Sequence, residues 1–337
     1  MNPSIKILTI ITLCISLILS TTGCNSLNSY TTPINKQGFA FDTLVSITIY
    51  DSNNYSLLDE CFNMCSCYEN MLSKTVKGSD IYRINHANTE AVTVSDETIT
   101  LLKYSIDAYN NYDQIFDISI SPVSDIWTNA RETSVLPELS SITNALANVN
   151  LSALNIDTKH FTVSKANPDL QIDLGGIAKG YIADKLKEYL ISEGVTSAII
   201  SLGGNIMTIG SKPDGSSFTI GIKEPFSQTN SAIAALSITD KTVVTSGTYE
   251  RYFINEGRIY HHIIDPATGY PANTDLNSVT IITDSSMQAD VLSTLCIILG
   301  LEKAKEVINH APGIEALFIT SDNTIYYSDN AAQYIKQ

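Results

Sequence analysis

The chain has 337 residues, of which 35 are Asp or Glu and 20 are Lys or Arg, so its formal net charge at pH 7 is −15. Such a surface repels nucleic acid, and because no basic cluster offsets it, the composition excludes a nucleic-acid partner. Any phosphate ester bound here must therefore meet a metal cation and local backbone dipoles, since the overall charge is unfavourable.

The N-terminal residues predict export. Lys6 precedes the mostly apolar run 7–19, which is too short for a comfortable membrane span and ends in small residues. Gly23 and Cys24 then favour a bacterial lipoprotein lipidated at Cys24, although Thr21 stands where an aliphatic residue is usual and plain secretion is the alternative. We predict a signal peptide over 1–24, a flexible polar tether over 25–37 and one domain over 38–337, lipid-anchored to the outer face of the cell membrane.

Three cysteines, Cys61, Cys65 and Cys67, lie in a helix predicted over residues 57–72. Cys61 and Cys65 lie on its apolar face, which favours a role as small buried hydrophobes. A disulfide remains open in an exported chain, and the Cys65-x-Cys67 spacing is weak evidence for a metal.

The remaining elements are predicted from hydrophobic periodicity. Five apolar residues of the run 39–49 fall at odd-numbered positions, which predicts a half-buried strand; they are Phe39, Phe41, Val45, Ile47 and Ile49. Pro122 interrupts a short strand-like run over 115–125, and a small helix is expected over 137–154. Other helices are predicted over 57–72, 95–109 and 287–300, and other strands over 197–202, 218–222, 232–238 and 278–283. Because the strands come in hairpin-like runs, we predict an α+β fold of mostly antiparallel sheets with packed helices.

The segment from Asp173 to Gly180 reads Asp-Leu-Gly-Gly-Ile-Ala-Lys-Gly. We predict a strand for the apolar run, followed by a glycine turn and the start of an amphipathic helix, and this arrangement brings a backbone close to a phosphate. The spacing matches neither a Walker loop nor G-x-G-x-x-G. A tight left-handed turn between a strand and a helix is an equally good interpretation of these residues alone.

Two further segments carry possible chemistry. Asp290 and Thr294 lie four residues apart on the last long predicted helix, so their oxygens share one face and suit Mg²⁺, although the pair alone is weak evidence. His261 and His262 precede an Asp-Pro turn, where a histidine serves equally as a general base or as the close of a strand. The hydroxyl-rich run that begins at Thr245 lacks G-x-S-x-G, so a serine nucleophile is discounted.

Taken in order, these segments resemble the ApbE family, the FAD:protein FMN transferases, from about Phe39 to Ile325. The combination of the Asp173–Gly180 segment with His-Ile-Ile-Asp-Pro-x-Thr-Gly from His262 is highly specific. The other matching segments are Phe41 to Thr43, Ser79 to Asn85, Phe116 to Val123 with Trp127, Leu202 to Asn205, Gly221 to Pro225, Thr245 to Gly247 with Tyr249 to Arg251, and Ala289-Asp290 with Thr294.

The resemblance implies an ApbE-like, T-fold-related architecture and an enzyme that cleaves the FAD pyrophosphate, transfers FMN to a threonine or serine hydroxyl of an extracytoplasmic flavoprotein and leaves AMP. The acceptor would be a domain of a membrane redox complex or of an extracellular reductase. Asp290, Thr294 and a main-chain oxygen near Gly176 would hold Mg²⁺, and His262 would deprotonate the acceptor hydroxyl. The implied FAD contacts are Phe41, Thr75, Ser119, Ile120, Ser121, Asp173, Lys179 and Ile263.

Some residues depart from the family pattern. Phe41 replaces a common methionine, Thr75 a common tyrosine, and Ser119 and Ser121 the more usual threonine and glycine, so flavin stacking is expected to be weaker or differently arranged.

Three alternative functions remain: a Mg²⁺-dependent FAD pyrophosphatase that gives FMN and AMP, a non-catalytic flavin-binding lipoprotein, and a sugar or peptidoglycan hydrolase. The intact His262, Asp290 and Thr294 argue against the second, and the absence of a paired-carboxylate signature argues against the third.

Overall fold

The computed structural model describes residues 32–229 and 231–336, which belong to one compact unit. The predicted signal peptide and Cys24 lie outside these ranges. No helix within the described ranges is long and apolar enough to cross a membrane. The first strand begins at Ile34, so the predicted tether over 25–37 is wrong in its last four residues, which pair with the next strand instead.

The fold is α+β, as predicted, and its centre is an antiparallel sheet of eight strands. In spatial order, these strands are β1 (Ile34–Ala40), β2 (Thr43–Ile49), β6 (Ala198–Leu202), β7 (Asn205–Ile209), β10 (Thr242–Gly247), β15 (Leu276–Thr283), β16 (Glu315–Thr320) and β17 (Ile325–Tyr327). The smaller sheets pair β8 (Phe218–Lys223) with β9 (Ala232–Ile238), β11 (Tyr252–Asn255) with β12 (Arg258–His261), and β13 (Ile264–Asp265) with β14 (Tyr270–Pro271), and they join β3 (Val92–Thr93), β5 (Thr162–Lys165) and β4 (Leu154–Asp157).

Helices cover one face of the central sheet. The described helices are α1 (Tyr55–Leu72), α2 (Asp80–His86), α3 (Asp96–Asn111), α4 (Ser121–Thr133), α5 (Leu139–Leu146), α6 (Ala178–Ser192), α7 (Ser286–Leu299) and α8 (Leu301–Asn309). Short 3₁₀ turns span Ile118–Ile120, Leu151–Ala153 and Ala331–Tyr334.

Alternation along the strands buries both faces of the sheet. Val244 and Ile281 belong to the large core beneath the helices, whereas their neighbours Val243 and Ile282 belong to a second core covered by β8 and β9. Because successive side chains point to opposite faces, one strand can supply both cores. Cys61 and Cys65 are free thiols buried in the large core, as their apolar helix face predicts.

The predictions for residues 39–49 and 115–125 are wrong, and each error has a local cause. The 39–49 strand is two strands joined by a two-residue turn at Phe41 and Asp42, whose φ angles are 55° and 56°. The turn reverses the chain, so Phe39 lies opposite Leu44 and is 75% exposed, whereas Val45 is buried. Residues 115–125 form a 3₁₀ turn and the start of α4, because Pro122 falls in the first turn of that helix, where its missing N–H costs no hydrogen bond.

Helices α6 and α7 pack unusually closely, and each caps the other. Asp184 of α6 accepts hydrogen bonds from the backbone N–H groups of Ser286 (2.8 Å) and Met287 (3.0 Å) at the start of α7. Asp290 of α7 accepts one from the backbone N–H of Gly180, in the first turn of α6, at 3.1 Å. Carboxylates at helix N-termini accept hydrogen bonds from the free N–H groups and interact favourably with the helix dipole. The two caps therefore stabilise the packing of α6 against α7.

We expect Gly180→Ala to lower the free energy of unfolding by about 3 kcal/mol, because a Cβ there cannot be accommodated without moving a helix. Such an atom would lie 2.2 Å from the backbone oxygen of Ser286. The matched control is Gly221→Ala in β8, where the nearest atom, Ala232 Cβ, lies at an ordinary 3.5 Å. Urea denaturation followed by circular dichroism measures both variants. Since alanine is intrinsically the better helix former, a Gly180→Ala protein as stable as the wild type would contradict the close packing.

Candidate active site

The apolar segment before the paired glycines belongs to none of the described strands, so the predicted strand there is wrong. Asn85 holds it instead: its Nδ2 donates to the Ile172 carbonyl at 2.9 Å, and its Oδ1 accepts from the Ile172 N–H at 2.8 Å. The buried Lys165 donates to the Leu170 carbonyl at 2.9 Å and also to those of Asn85 and Pro168. Side chains thus replace a neighbouring strand as partners of this backbone, and they position Asp173 directly after it.

Neither Gly175 nor Gly176 has a φ in the left-handed region, so the left-handed-turn interpretation is wrong. The glycines permit close approach instead. A Cβ on Gly176 would lie 3.3 Å from the ring of Phe116 and 3.9 Å from Thr294 Oγ1. The absence of a side chain therefore brings the Gly176 main chain beside a predicted metal ligand.

Lys179 connects the glycine turn to α7. Its Nζ donates to the Gly175 carbonyl at 2.9 Å and lies 3.7 Å from Oδ2 of Asp290. The Asp290 residue is 3% exposed and also accepts from the Gly180 N–H. A lysine, a carboxylate and the first turn of a helix therefore meet at one point, and a lysine beside a helix N-terminus is an arrangement that favours anions.

The residues predicted to hold Mg²⁺ fit that ion. Asp290 and Thr294 lie one turn apart on α7, and Gly176 lies against Thr294, so a carboxylate, a hydroxyl and the main chain converge. Within the described residues there is no cluster of three or more His, Cys, Asp or Glu that could hold a metal. A sparse set of hard oxygen ligands suits Mg²⁺, which retains waters and binds substrate phosphate in addition to one or two carboxylates.

The two adjacent histidines have different roles. His261 is 7% exposed; its Nδ1 accepts from the Ile263 N–H at 3.3 Å, and its Nε2 donates to the Ala272 carbonyl at 3.1 Å. Burial lowers the pKa of His261, which favours this neutral form. His261 therefore closes the end of β12, the structural role that the sequence left open.

His262 is exposed, and its backbone N–H donates to the Arg251 carbonyl at 3.0 Å. Surrounding protein, and then the positive charges of Arg251 and Lys179, lower the pKa of His262 below its ordinary value of 6.5. Water at an exposed ring screens these effects in part, but all of them favour the neutral imidazole. At pH 7 His262 is therefore poised to accept a proton.

Phe41 occupies the tip of the β1–β2 hairpin in a strained conformation. A φ of 55° is unfavourable for a bulky side chain, and such strain concentrates at binding sites. The backbone N–H of Phe41 donates to Glu69 at 3.0 Å, and Arg251 donates to the Asp42 carbonyl at 3.5 Å. Arg251, whose carbonyl accepts from the His262 N–H, therefore connects this hairpin with the bend that carries His262.

The predicted contacts Ser119, Ile120 and Ser121 lie at the junction of the 3₁₀ turn and α4. Both serines are fully buried, and their hydroxyls bond to Asp117 and Lys74 respectively, so a ligand there would meet main-chain atoms. The Asp173 N–H donates to the Ile118 carbonyl at 2.9 Å, which joins this junction to the glycine segment.

Thr75 is exposed in the α1–α2 loop, whereas Ile263 is buried directly after His262. Ile263 accepts from the Ala272 N–H at 2.9 Å and so fixes the chain beyond the imidazole. Among the predicted site residues, only Cys24 falls outside the described ranges.

Sequence reasoning missed Lys74, which makes three contacts in this region. Its Nζ lies 3.0 Å from Asp173 Oδ2, 2.5 Å from Asp125 Oδ1 and 3.1 Å from Ser121 Oγ. A lysine in a Ser-Lys-Thr loop gives no local signal of partners that lie 47 to 99 residues away in the chain.

Comparison with known proteins identifies the family of this chain. The family model described as "ApbE family" matches residues 41–318. A Klebsiella pneumoniae protein named FAD:protein FMN transferase is 36% identical over 278 residues, which cover 82% of this chain and 86% of that protein. A Treponema pallidum protein of the same name is 32% identical over 302 residues, which cover 84% and 83% of the two chains.

Solved structures show the same architecture. The ApbE protein of Thermotoga maritima superposes with a TM-score of 0.83 at 29% identity, covering 91% of this chain and all of its own. The flavin transferase ApbE of Vibrio cholerae superposes with a TM-score of 0.79 at 26% identity, covering 90% of this chain and 99% of its own. On the family match, the relatives and the shared fold together, this chain belongs to the ApbE family.

Proposed function

We propose that this protein is an FAD:protein FMN transferase, which moves FMN from FAD to a threonine or serine hydroxyl of a target flavoprotein and releases AMP. The observation that carries the proposal is the convergence of Lys179, Asp290 and Thr294 at the glycine turn, with the positive charge of Lys179 also acting on His262. The names of the relatives support the same activity.

Each residue has a role in the displacement. The acceptor oxygen forms a bond to the phosphorus on the FMN side of the pyrophosphate, and the bond from that phosphorus to the bridging oxygen breaks. AMP leaves with the bridging oxygen, and the acceptor's proton passes to His262. Lys179 and the first turn of α6 face the phosphates. Mg²⁺, held by Asp290, Thr294 and the Gly176 main chain, would supply positive charge to the pyrophosphate oxygens.

The exposure of His262 supports transfer to a protein. A macromolecular hydroxyl can reach an imidazole only at the surface, and His262 is exposed while its structural neighbour His261 is buried. We propose an acceptor outside the cytoplasm, in a membrane redox complex or an extracellular reductase, and a lipid anchor at Cys24 that places the enzyme on the outer face of the cell membrane. The sequence of the first 24 residues supports this location.

The test incubates residues 25–337 with FAD, Mg²⁺ and a candidate extracytoplasmic flavoprotein domain, followed by denaturing electrophoresis and flavin fluorescence. We expect a fluorescent acceptor band and stoichiometric AMP. Free FMN and AMP with no labelled acceptor, across a panel of such domains, would favour the pyrophosphatase. Intact FAD under every condition would overturn both enzymatic functions.

A further inference from the structure

Lys74 lies at the junction of three elements that the site requires. It follows α1, and its ammonium lies within 3.1 Å of Ser121 Oγ in α4 and 3.0 Å of Asp173 Oδ2 in the glycine segment. Its side chain is 21% exposed, and its third partner, Asp125, is 52% exposed. Lys74 is thus half-buried among residues that are predicted to contact FAD.

The pairing of Lys74 with Asp173 fixes the direction of that carboxylate. Oδ1 of Asp173 accepts from the Gly175 N–H at 2.8 Å, while Oδ2 faces Lys74. Although burial acts to lower it, the pKa of Lys74 is raised above its ordinary value by the Asp173 and Asp125 carboxylates. Lys74 is therefore charged at neutral pH, and the Asp173 carboxylate has a partner at each oxygen.

The charges around the glycine turn show why the Lys74–Asp173 pair matters for an anionic ligand. Two carboxylates, Asp173 and Asp290, flank the turn where the pyrophosphate would bind, and each has a lysine nearby, at 3.0 Å and 3.7 Å respectively. The protein as a whole carries a net charge of −15. A carboxylate without a counter-charge at this position would repel an anionic ligand, and the overall field would add to the repulsion.

We propose that Lys74 is a positioning residue that orients and neutralises Asp173 and thereby gives the site its affinity for the phosphate-bearing part of FAD. The proposal rests on the proposed function, since it concerns the same substrate. It requires that loss of Lys74 weaken the binding of FAD more than the binding of riboflavin, which lacks the pyrophosphate. A purely structural link between α1 and α4 would weaken both to the same degree.

The experiment measures flavin binding to the detergent-solubilised full-length protein by fluorescence titration in EDTA, so that no turnover occurs. The ligands are FAD and riboflavin, which share the isoalloxazine ring but differ in the pyrophosphate. The variants are Lys74→Met and Lys74→Arg. The controls are Asp125→Asn, which removes the more exposed partner of Lys74, and Lys36→Met, which removes an exposed lysine that pairs with Asp59 at 2.7 Å.

For Lys74→Met we expect the Kd for FAD to rise about tenfold, while the Kd for riboflavin changes less than about twofold. We expect Lys74→Arg to recover most of the loss, since it restores the charge. Asp125→Asn and Lys36→Met should keep a Kd for FAD within about twofold of the wild type.

Three results would overturn the inference: an unchanged Kd for FAD in Lys74→Met, equal losses for FAD and riboflavin, or an Asp125→Asn variant that loses as much FAD affinity as Lys74→Met. If Lys74→Met does not fold, Lys74→Arg and Asp125→Asn still decide, because the inference requires both to retain affinity for FAD. Failure of the wild-type protein to bind FAD both in EDTA and in Mg²⁺ without an acceptor would instead count against the proposed function.

Discussion

Replacement of His262 by asparagine is expected to reduce the rate of FMN transfer by about 10²–10⁴-fold at saturating FAD, the usual contribution of a general base. A threonine hydroxyl is a weak nucleophile until its proton is accepted, and asparagine cannot accept it. His262 is exposed in the bend between β12 and β13, and its backbone N–H donates to the Arg251 carbonyl, so asparagine should preserve the local structure. Single-turnover labelling of the acceptor, followed by in-gel fluorescence, measures the loss.

The pH dependence of transfer should identify the same group. His262 must be neutral to act as a base, so activity is retained above its pKa and lost as the pH falls through it. Surrounding protein and the charges of Arg251 and Lys179 lower that pKa, so the acid limb should lie below 6.5. In the residual activity of His262→Asn this limb should be absent. A limb that persists unchanged would assign the ionisation to another group.

His261 provides the matched control. Its ring links the Ile263 N–H to the Ala272 carbonyl, so His261→Asn removes two buried contacts without removing the proposed base. We expect a lower melting temperature and, below that temperature, a transfer rate within about tenfold of the wild type. If His261→Asn abolishes transfer in a folded protein while His262→Asn does not, the assignment of the two roles is wrong.

Helices α1, α3, α6 and α7 were predictable from sequence because hydrophobic periodicity is a local property, whereas the helices α2, α4 and α8 were not predicted. The apolar stripe of α3, for example, lies within the element that it specifies. The β1–β2 hairpin was not predictable, since its turn uses Phe41 and Asp42 at positive φ in place of the usual glycine or asparagine. The cost of that conformation is met by distant contacts, such as those of Glu69 and Arg251.

The site likewise contains residues that could be proposed from sequence and residues that could not. His262, Asp290 and Thr294 could be proposed from sequence because their order along the chain is typical of one family, but the residues that hold the glycine segment could not. Asn85 replaces a paired strand through its side-chain amide, and no strand or helix pattern predicts such a contact. Lys74 is likewise defined by Asp173 and Asp125, which come close only in the folded chain.

Replacement of Asp290 by asparagine is expected to abolish Mg²⁺-dependent transfer, with a loss on the order of 10²–10³-fold, because a Lewis acid at a pyrophosphate contributes several kcal/mol. Asparagine is preferred to alanine since its amide oxygen can still accept from the Gly180 N–H, so the cap on α6 is largely retained. Mn²⁺ binding, followed by electron paramagnetic resonance without FAD, should weaken in parallel. This second measurement separates loss of the metal from a defect in chemistry.

The reciprocal cap provides the control for this experiment. Asp184→Asn alters the capping carboxylate of the partner helix, which bonds to Ser286 and Met287, but it changes no predicted metal ligand. Both variants should lose comparable and small amounts of stability, less than about 1 kcal/mol, because asparagine and aspartate cap helices about equally well. Asp290→Asn alone should lose Mn²⁺ binding and transfer. If Asp184→Asn loses both to the same degree, Asp290 acts by holding α6 against α7, and the metal must bind elsewhere.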